Sequence, residues 1–267
     1  MSLAVRAKST VLERSTPMAG AVELVLEDAE GAVAAKPGQF FQIAVEAPHA
    51  ILRRPYSVAW VDRRHGRVGF IFNVVGAGSA WLASRHAGDE VDILGPLGQG
   101  FAIESGNRRA VCVAGGLGVA ILPALVEELQ AIGRQVTFLQ GARGAERLLP
   151  AARLPGVDLR LATDDGGAGF RGSVVDLLTP AVASDADIFA CGPTPMLRRL
   201  IDAAERLELP LARIQVALET PMGCGFGTCL GCVAPRRGGG YLLTCSDGPC
   251  IRADRIDWER MGDAFHG

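Results

Sequence analysis

Cys224, Cys229, Cys232 and Cys245 lie in one run, CGFGTCLGC…YLLTCSDG, separated by four, two and twelve residues. A thiolate is a strong ligand for soft metals, and four of them around one glycine-rich loop can enclose an iron–sulfur cluster or a zinc ion. Whatever the rest of the chain does, it has to fold so that this loop closes on itself.

The spacing bears on which occupant the loop takes. Zinc ribbons and fingers use cysteine pairs on two separate knuckles, whereas here three cysteines share a single loop. The opening C-x4-C-x2-C is the plant-type spacing for [2Fe–2S], in which a later segment supplies the fourth thiolate. Glycines at 223, 225, 227 and 231 suit such a loop, because it needs positive φ values and N–H groups close to sulfur. Spacing favours iron–sulfur and leaves structural zinc and unligated or disulfide-bonded thiols as alternatives.

A chain of 267 residues with 49% hydrophobic content allows two domains with an appendage and ample cores. Its net charge of −2 and the lack of a long single-sign run argue against nucleic acid and a membrane surface as partners. The opening MSLAVRAKSTVLERS has no apolar run of secretory type, so a reducing cytoplasm is expected, where metal binding is favoured over disulfides. Residues 110–126, AVCVAGGLGVAILPALV, carry no charge, but their glycines and proline predict a buried strand, a turn and a helix start rather than a membrane span.

The first hundred residues are punctuated as β-structure. AVELVLED, GQFFQIAVE, YSVAWVD and RVGFIFNVV predict an antiparallel barrel or sandwich, with one short helix near 79–85. In ILRRPYSVAW, Arg54 is followed by Pro55, Tyr56 and Ser57: a guanidinium that can clamp a diphosphate, an aromatic that can stack on a flat ring, and a hydroxyl. A surface arginine beside a half-buried tyrosine is the plain alternative. NVVGAGSAWL then brings Gly76 and Gly78, with Ser79 placed to cap a helix whose N–H groups would face a phosphate.

From about Arg109 the pattern alternates. RAVCVAGG, QVTFLQ, VDLRLAT, DIFAC and RIQVAL read as buried parallel strands, with helices expected over 120–132, 174–182 and 195–207,. This is a doubly wound α/β pattern, whose ligand belongs at the carboxyl ends of the strands. The turns there are Gly115-Gly116-Leu117-Gly118, Thr163-Asp164-Asp165-Gly166 and Cys191-Gly192-Pro193. Glycines also serve strand-to-helix turns that hold no ligand. Cys191 reads equally as a small buried residue or as a residue of the crevice mouth, and Cys112 reads as core.

RPYS, VGAGS, AGGLG, TDDG and CGPTPM, in that order, resemble the ferredoxin–NADP reductase superfamily. With ETPMGCGFGTCLGC and CSDGP added, the whole chain resembles the electron-transfer subunits of type B dihydroorotate dehydrogenases. The resemblance implies a multidomain α+β fold: an FAD-binding antiparallel β-barrel over 1–103, an NAD-binding doubly wound α/β domain over 104–219, and a small [2Fe–2S] domain over 220–267. It implies FAD contacts from Arg54, Pro55, Tyr56 and Ser57, a flavin-lining strand at Ile71, Phe72 and Asn73, and a phosphate contact at Gly78 and Ser79. For NAD(H) it implies the loop of Gly115, Gly116 and Gly118 and the segment Cys191, Gly192 and Pro193. Cys224, Cys229, Cys232 and Cys245 become the cluster ligands. A separate FMN-containing catalytic subunit that oxidises dihydroorotate, in a heterotetramer, is the implied partner. Electrons would run among NADH, FAD, [2Fe–2S] and that partner with no catalytic acid or base.

This sequence departs from the pattern in three places. Tyr56 stands where such subunits often carry an aliphatic residue, Ser79 replaces threonine, and Cys250 falls where the family usually has an apolar residue, where it reads as a spare buried thiol or as a ligand in exchange with Cys245. Arg143 leaves the choice between NAD and NADP open. A reductase subunit of another complex, serving a hydrogenase, a glutamate synthase-like enzyme or a transhydrogenase, and a zinc-binding module without redox function are the other readings.

Overall fold

The computed structural model describes residues 4–47, 50–106 and 108–262. Its first part has seven strands: β1 (Val5–Ser15), β2 (Ala21–Glu27), β3 (Phe40–Ile43), β4 (Arg54–Ser57), β5 (Trp60–Asp62), β6 (Arg67–Asn73) and β7 (Glu90–Leu97). Helix α1 (Ala29–Ala34) follows β2, and α2 (Ala77–Ala83) follows β6. All neighbouring strands are antiparallel, in the order β4-β3-β7-β1-β2-β6-β5. Phe41 of β3 meets Phe70 of β6 edge-on, with ring centroids 5.5 Å apart, although those strands stand near opposite edges of the sheet. The sheet therefore curls around one core, which holds Leu24, Phe41, Ile43, Phe70, Phe72 and Ile93.

Two of these strands were not among the expected four. In β1, VRAKSTVLERS, Arg6, Lys8, Glu13 and Arg14 interrupt the apolar residues and the strand is largely exposed or half-buried, so no apolar run marks it. β7 ends in a Gly-Pro step that reads as a turn. The expected strand YSVAWVD is divided into β4 and β5.

The second part has β8 (Arg109–Gly115), α3 (Pro123–Ala131), β9 (Val136–Ala142), β10 (Asp158–Thr163), β11 (Phe170–Arg171), α4 (Pro180–Ala183), β12 (Ala186–Cys191), α5 (Thr194–Arg206) and β13 (Ile214–Ala217). These strands are parallel and ordered β11-β10-β9-β8-β12-β13. The order reverses between β8 and β12, where a doubly wound sheet opens its ligand crevice. The helix expected over 120–132 is a 3-10 turn over 116–121 followed by α3. That expected over 174–182 breaks into a 3-10 turn, Val174–Leu177, and the single turn α4, because Pro180 has no N–H to continue a helix.

The C-terminal part folds back on both others. β14 (Val233–Pro235) and β15 (Tyr241–Leu243) form a hairpin, and β16 (Cys250–Arg252) pairs antiparallel with β13 at the edge of the nucleotide sheet. Barrel and sheet are also tied through Glu23. Its buried carboxylate accepts from Ser15 Oγ at 3.0 Å, Trp60 Nε1 at 2.7 Å and Arg153 Nη1 at 3.0 Å. Desolvation opposes ionisation there, but the Arg153, Trp60 and Ser15 hydrogen bonds outweigh it and hold the Glu23 carboxyl below its usual range. Among the described residues no helix is long and apolar enough to cross a membrane.

Candidate cofactor and electron-transfer site

β4 lies at a sheet edge with β3 as its neighbour, so Pro55 removes no ladder bond that a central strand would need, and all four RPYS residues are half-buried. Arg54 Nη1 donates to the Leu52 carbonyl at 2.6 Å, which anchors the guanidinium beside α2. A Cβ at Gly78 would stand 3.2 Å from Arg54 Nε and 3.3 Å from Val45 Cγ2, so glycine lets helix and arginine close together. Arg54 and Gly78 thus meet, as a diphosphate cradle requires. The Tyr56 ring lies 4.9 Å from that of Phe72, and burial pushes its phenol up to about 12.

The strand Ile71–Asn73 does not present one common face. Strand alternation sends Phe72 into the barrel, where it backs Tyr56, and Ile71 outward to the interface with the nucleotide sheet, among Met18, Ala21 and Ala59. Asn73 is half-buried at the strand end. Ser79 differs from its expected role as helix cap. Gly76 occupies the cap, and Ser79 sits in the first turn, where its hydroxyl accepts from the N–H groups of Val75 at 2.9 Å and Gly76 at 3.1 Å. Those two donors therefore face the serine.

At the crevice between β8 and β12 the two glycine turns interlock. A side chain at Gly118 would collide with the Cys191 carbonyl, and one at Gly115 with the Met196 sulfur. Gly116 has φ +54, a left-handed value that favours glycine. A Cβ at Gly192 would stand 2.7 Å from Met196 Cε and 3.2 Å from Gly115 Cα. Cys191 is half-buried, and desolvation, then Glu219, push its thiol up to about 12. It is therefore neutral at the mouth of the crevice. Cys112 is fully buried in the core. The third turn is closed on itself: Thr163 Oγ1 donates to the Ala168 carbonyl and accepts from its N–H, while Asp165 accepts from Gly167. Arg143 is exposed.

The four loop cysteines come together as two pairs. Cys232 Sγ donates to Cys245 Sγ at 3.0 Å, and both are buried against Phe40 and Leu97 on the outer face of the barrel. Cys224 accepts from the Cys229 N–H at 3.4 Å and also from the Cys229 thiol. Desolvation works against ionising Cys224, yet the N–H groups of Cys229, Phe226 and Thr228 and the Cys229 thiol bring it down to about 6. Cys245 is pushed up to about 12 by burial and by Cys232, although the Gly227 N–H bonds its sulfur at 3.1 Å. Gly225 at φ +85 and Gly227 at φ +87 carry the bends that aim these N–H groups.

Among the described residues no three of these side chains converge on a point suited to one ion. A zinc ion takes its four ligands at about 2.0–2.3 Å, whereas a two-iron cluster takes two cysteines on each iron, so the paired thiols fit the cluster. Cys250 is a buried thiol apart from the loop, 3.7 Å from the Gly38 carbonyl. Exposed apolar side chains border the loop: Phe226 is 57% and Leu230 62% exposed. Leu52, also exposed, lies 3.9 Å from the position of a Cβ at Gly223. One residue that sequence reasoning passed over sits beneath the loop: Gln42, fully buried with no partner for either amide atom among the described residues. Its signal was a polar residue within the apolar strand FFQI.

A flavin-type barrel, a doubly wound nucleotide domain and a four-cysteine loop seated on the barrel define an electron-transfer oxidoreductase of ferredoxin reductase-like fold. Residues 12–101 match the oxidoreductase FAD-binding domain, and residues 219–257 match the iron–sulfur cluster binding domain of dihydroorotate dehydrogenase B. The chain is 37% identical to the dihydroorotate dehydrogenase B (NAD(+)) electron transfer subunit of Geobacillus kaustophilus (strain HTA426), over 83% of this chain and 86% of that one. It is 35% identical to the subunit of the same name from Geobacillus thermodenitrificans (strain NG80-2), over 94% and 98%. A solved NADH-dependent reduced ferredoxin-NADP oxidoreductase superposes with a TM-score of 0.85 at 26% identity, over 96% of this chain and 91% of that one. The chain belongs to the family of dihydroorotate dehydrogenase B electron transfer subunits. It is an oxidoreductase component that carries FAD and an iron–sulfur cluster.

Proposed function

We propose that this chain passes electrons between NAD(H) and an FMN-containing, dihydroorotate-oxidising catalytic subunit in pyrimidine biosynthesis, within a cytoplasmic heterotetramer. The observation that carries the reading is the seating of the cysteine pairs: Cys232 and Cys245 lie against the barrel, while Cys224 and Cys229 lie outward beside exposed Phe226 and Leu230. An electron carrier needs one side of its cluster toward its own flavin and the other toward a partner, and an apolar rim suits a partner surface.

Bound flavin exchanges a hydride with a nicotinamide and single electrons with an iron–sulfur centre, and that chemistry belongs to the cofactors. The residues position them. Arg54 supplies a fixed guanidinium for a diphosphate, with Gly78 and Ser79 beside it, and Tyr56 offers its ring between Pro55 and Ser57. On β6, Ile71 faces the nucleotide sheet, Asn73 ends the strand just before α2, and Phe72 supports Tyr56. Gly115, Gly116 and Gly118, nested against Cys191, Gly192 and Pro193, admit a nucleotide at the switch point. Cys224, Cys229, Cys232 and Cys245 hold a [2Fe–2S] centre, and the N–H groups around Cys224 and Cys245 lower the charge on sulfur.

Co-expression with a candidate catalytic subunit tests the partner. Recovery of one complex that reduces NAD with dihydroorotate supports the reading. A chain that instead couples NADH to a ferredoxin or a hydrogenase, and ignores the dihydroorotate-oxidising protein, contradicts it.

A further inference from the structure

β3 alternates Phe41 and Ile43 into the barrel, and Phe40 and Gln42 outward beneath the cysteine loop. Phe40 packs with Leu97, Cys232 and Cys245, and Gln42 follows two residues along on the same outward side of the strand. Gln42 is 0% exposed, and among the described residues neither Nε2 nor Oε1 has a hydrogen-bond partner. Gln39, on the same segment and also buried, shows the usual outcome: its Oε1 accepts from the Lys36 N–H at 2.9 Å and its Nε2 donates to the Gly98 carbonyl at 2.8 Å. An orphaned buried polar group forfeits its hydration with nothing in return, so an amide held in this state points to a partner that arrives with a ligand.

What faces the Gln42 amide is the bend at Gly225. A Cβ there would stand 2.8 Å from both Cγ and Nε2 of Gln42, and φ is +85, so glycine is required by conformation and by space. Gly225 lies between Cys224 and Phe226, and the Phe226 N–H bonds the Cys224 sulfur. Gln42 also pairs across the ladder with Pro55 of the RPYS strand. The Gln42 side chain thus meets the loop of the first cysteine, while its backbone belongs to the strand that pairs with the flavin cradle.

We propose that Gln42 is a positioning residue for the iron–sulfur centre, donating its amide N–H into the sulfur shell on the Cys224 side of the loop. The inference rests on the reading that the four cysteines hold a cluster. A donor to sulfur stabilises the reduced, more negative state, so the amide raises the reduction potential and fixes the Gly225 bend that orients Cys224.

The test uses the full chain labelled with 15N only at glutamine side-chain amides. After reduction, pulsed EPR of the wild-type chain shows a 15N coupling to the cluster spin, and Gln42→Met, which keeps the length and removes the N–H, abolishes it. At a fixed poise the reduced-to-oxidised ratio of the cluster falls about tenfold in Gln42→Met, equivalent to 59 mV for a one-electron couple. An iron-loaded wild-type chain without the 15N coupling overturns the inference even if the variant does not fold. Equal cluster potentials in both chains, or a shift confined to the flavin, also overturn it. A wild-type chain holding zinc or no metal overturns the cluster reading itself, and iron and sulfide analysis separates that failure from the others.

Discussion

The two halves of the cysteine loop share chemistry and differ in surroundings. Cys232 and Cys245 are buried on Phe40 and Leu97, and burial pushes Cys245 up to about 12. Cys229 is exposed, and Cys224 is held down to about 6 by loop N–H groups that outweigh its desolvation. One pair is a seat built from the barrel, and the other is a lip built from backbone amides. The difference gives the loop a direction, with an inner side toward the flavin barrel and an outer side toward solvent and a partner.

The sharpest way to break this comparison is to remove one ligand from each half. Cys232→Ser and Cys245→Ser are expected to abolish iron binding, because a buried hydroxyl in that apolar seat is a poor thiolate substitute. Cys229→Ser is expected to retain a reduced, labile iron content. Iron and acid-labile sulfide analysis reads this, and equal losses at Cys229 and Cys232 would erase the distinction between seat and lip.

The seat depends on how barrel and nucleotide sheet are held, so the next effect is Glu23→Gln. Breaking the buried contact to Arg153 and Trp60 is expected to cost about 2 kcal/mol in denaturant unfolding at pH 7. The Glu23 carboxyl is depressed in the folded state, so its contribution is full above its ordinary 4.5 and is lost as pH falls through the lower folded value. Below that value wild type and variant should converge in Tm, and a constant difference down to strong acid would refute the assignment.

Smaller effects test the two ends of the path. Gly118→Val collides with the Cys191 carbonyl and is expected to raise the KM for NADH at least about tenfold, about 1.4 kcal/mol, with flavin and iron contents unchanged. Leu230→Ser is expected to weaken partner binding about fivefold, about 1 kcal/mol, and to leave iron binding and NADH oxidation intact. A loss of iron in Leu230→Ser would place that residue in the seat rather than the lip.

Much of this was legible in the residues. The cysteine spacing read directly as a loop, since ligands crowded into one segment constrain each other locally, and the glycine turns after β8 and β12 read as a crevice because each follows a buried strand. β1 was not legible: it carries Arg6, Lys8, Glu13 and Arg14 along its length, and it is held by pairing with β2 and β7 rather than by a continuous apolar run. The capping geometry at Ser79 was missed by one turn, because serine serves as readily in the first turn as at the cap. Gln42 could not be ranked from sequence, since its significance lies in the absence of partners around a buried amide, a property of the packed structure alone.

A two-iron cluster held by the cysteine loop and fed through the flavin barrel has a redox signature of its own. Anaerobic addition of NADH to the purified full chain tests it most directly, with the flavin followed by visible absorption and the cluster by EPR, beside iron and sulfide analysis. The expected result is iron and sulfide in the ratio of a [2Fe–2S] cluster, bleaching of flavin absorption and the appearance of a reduced-cluster signal. A chain that contains zinc in place of iron, or whose cluster stays oxidised while its flavin is reduced, would contradict it.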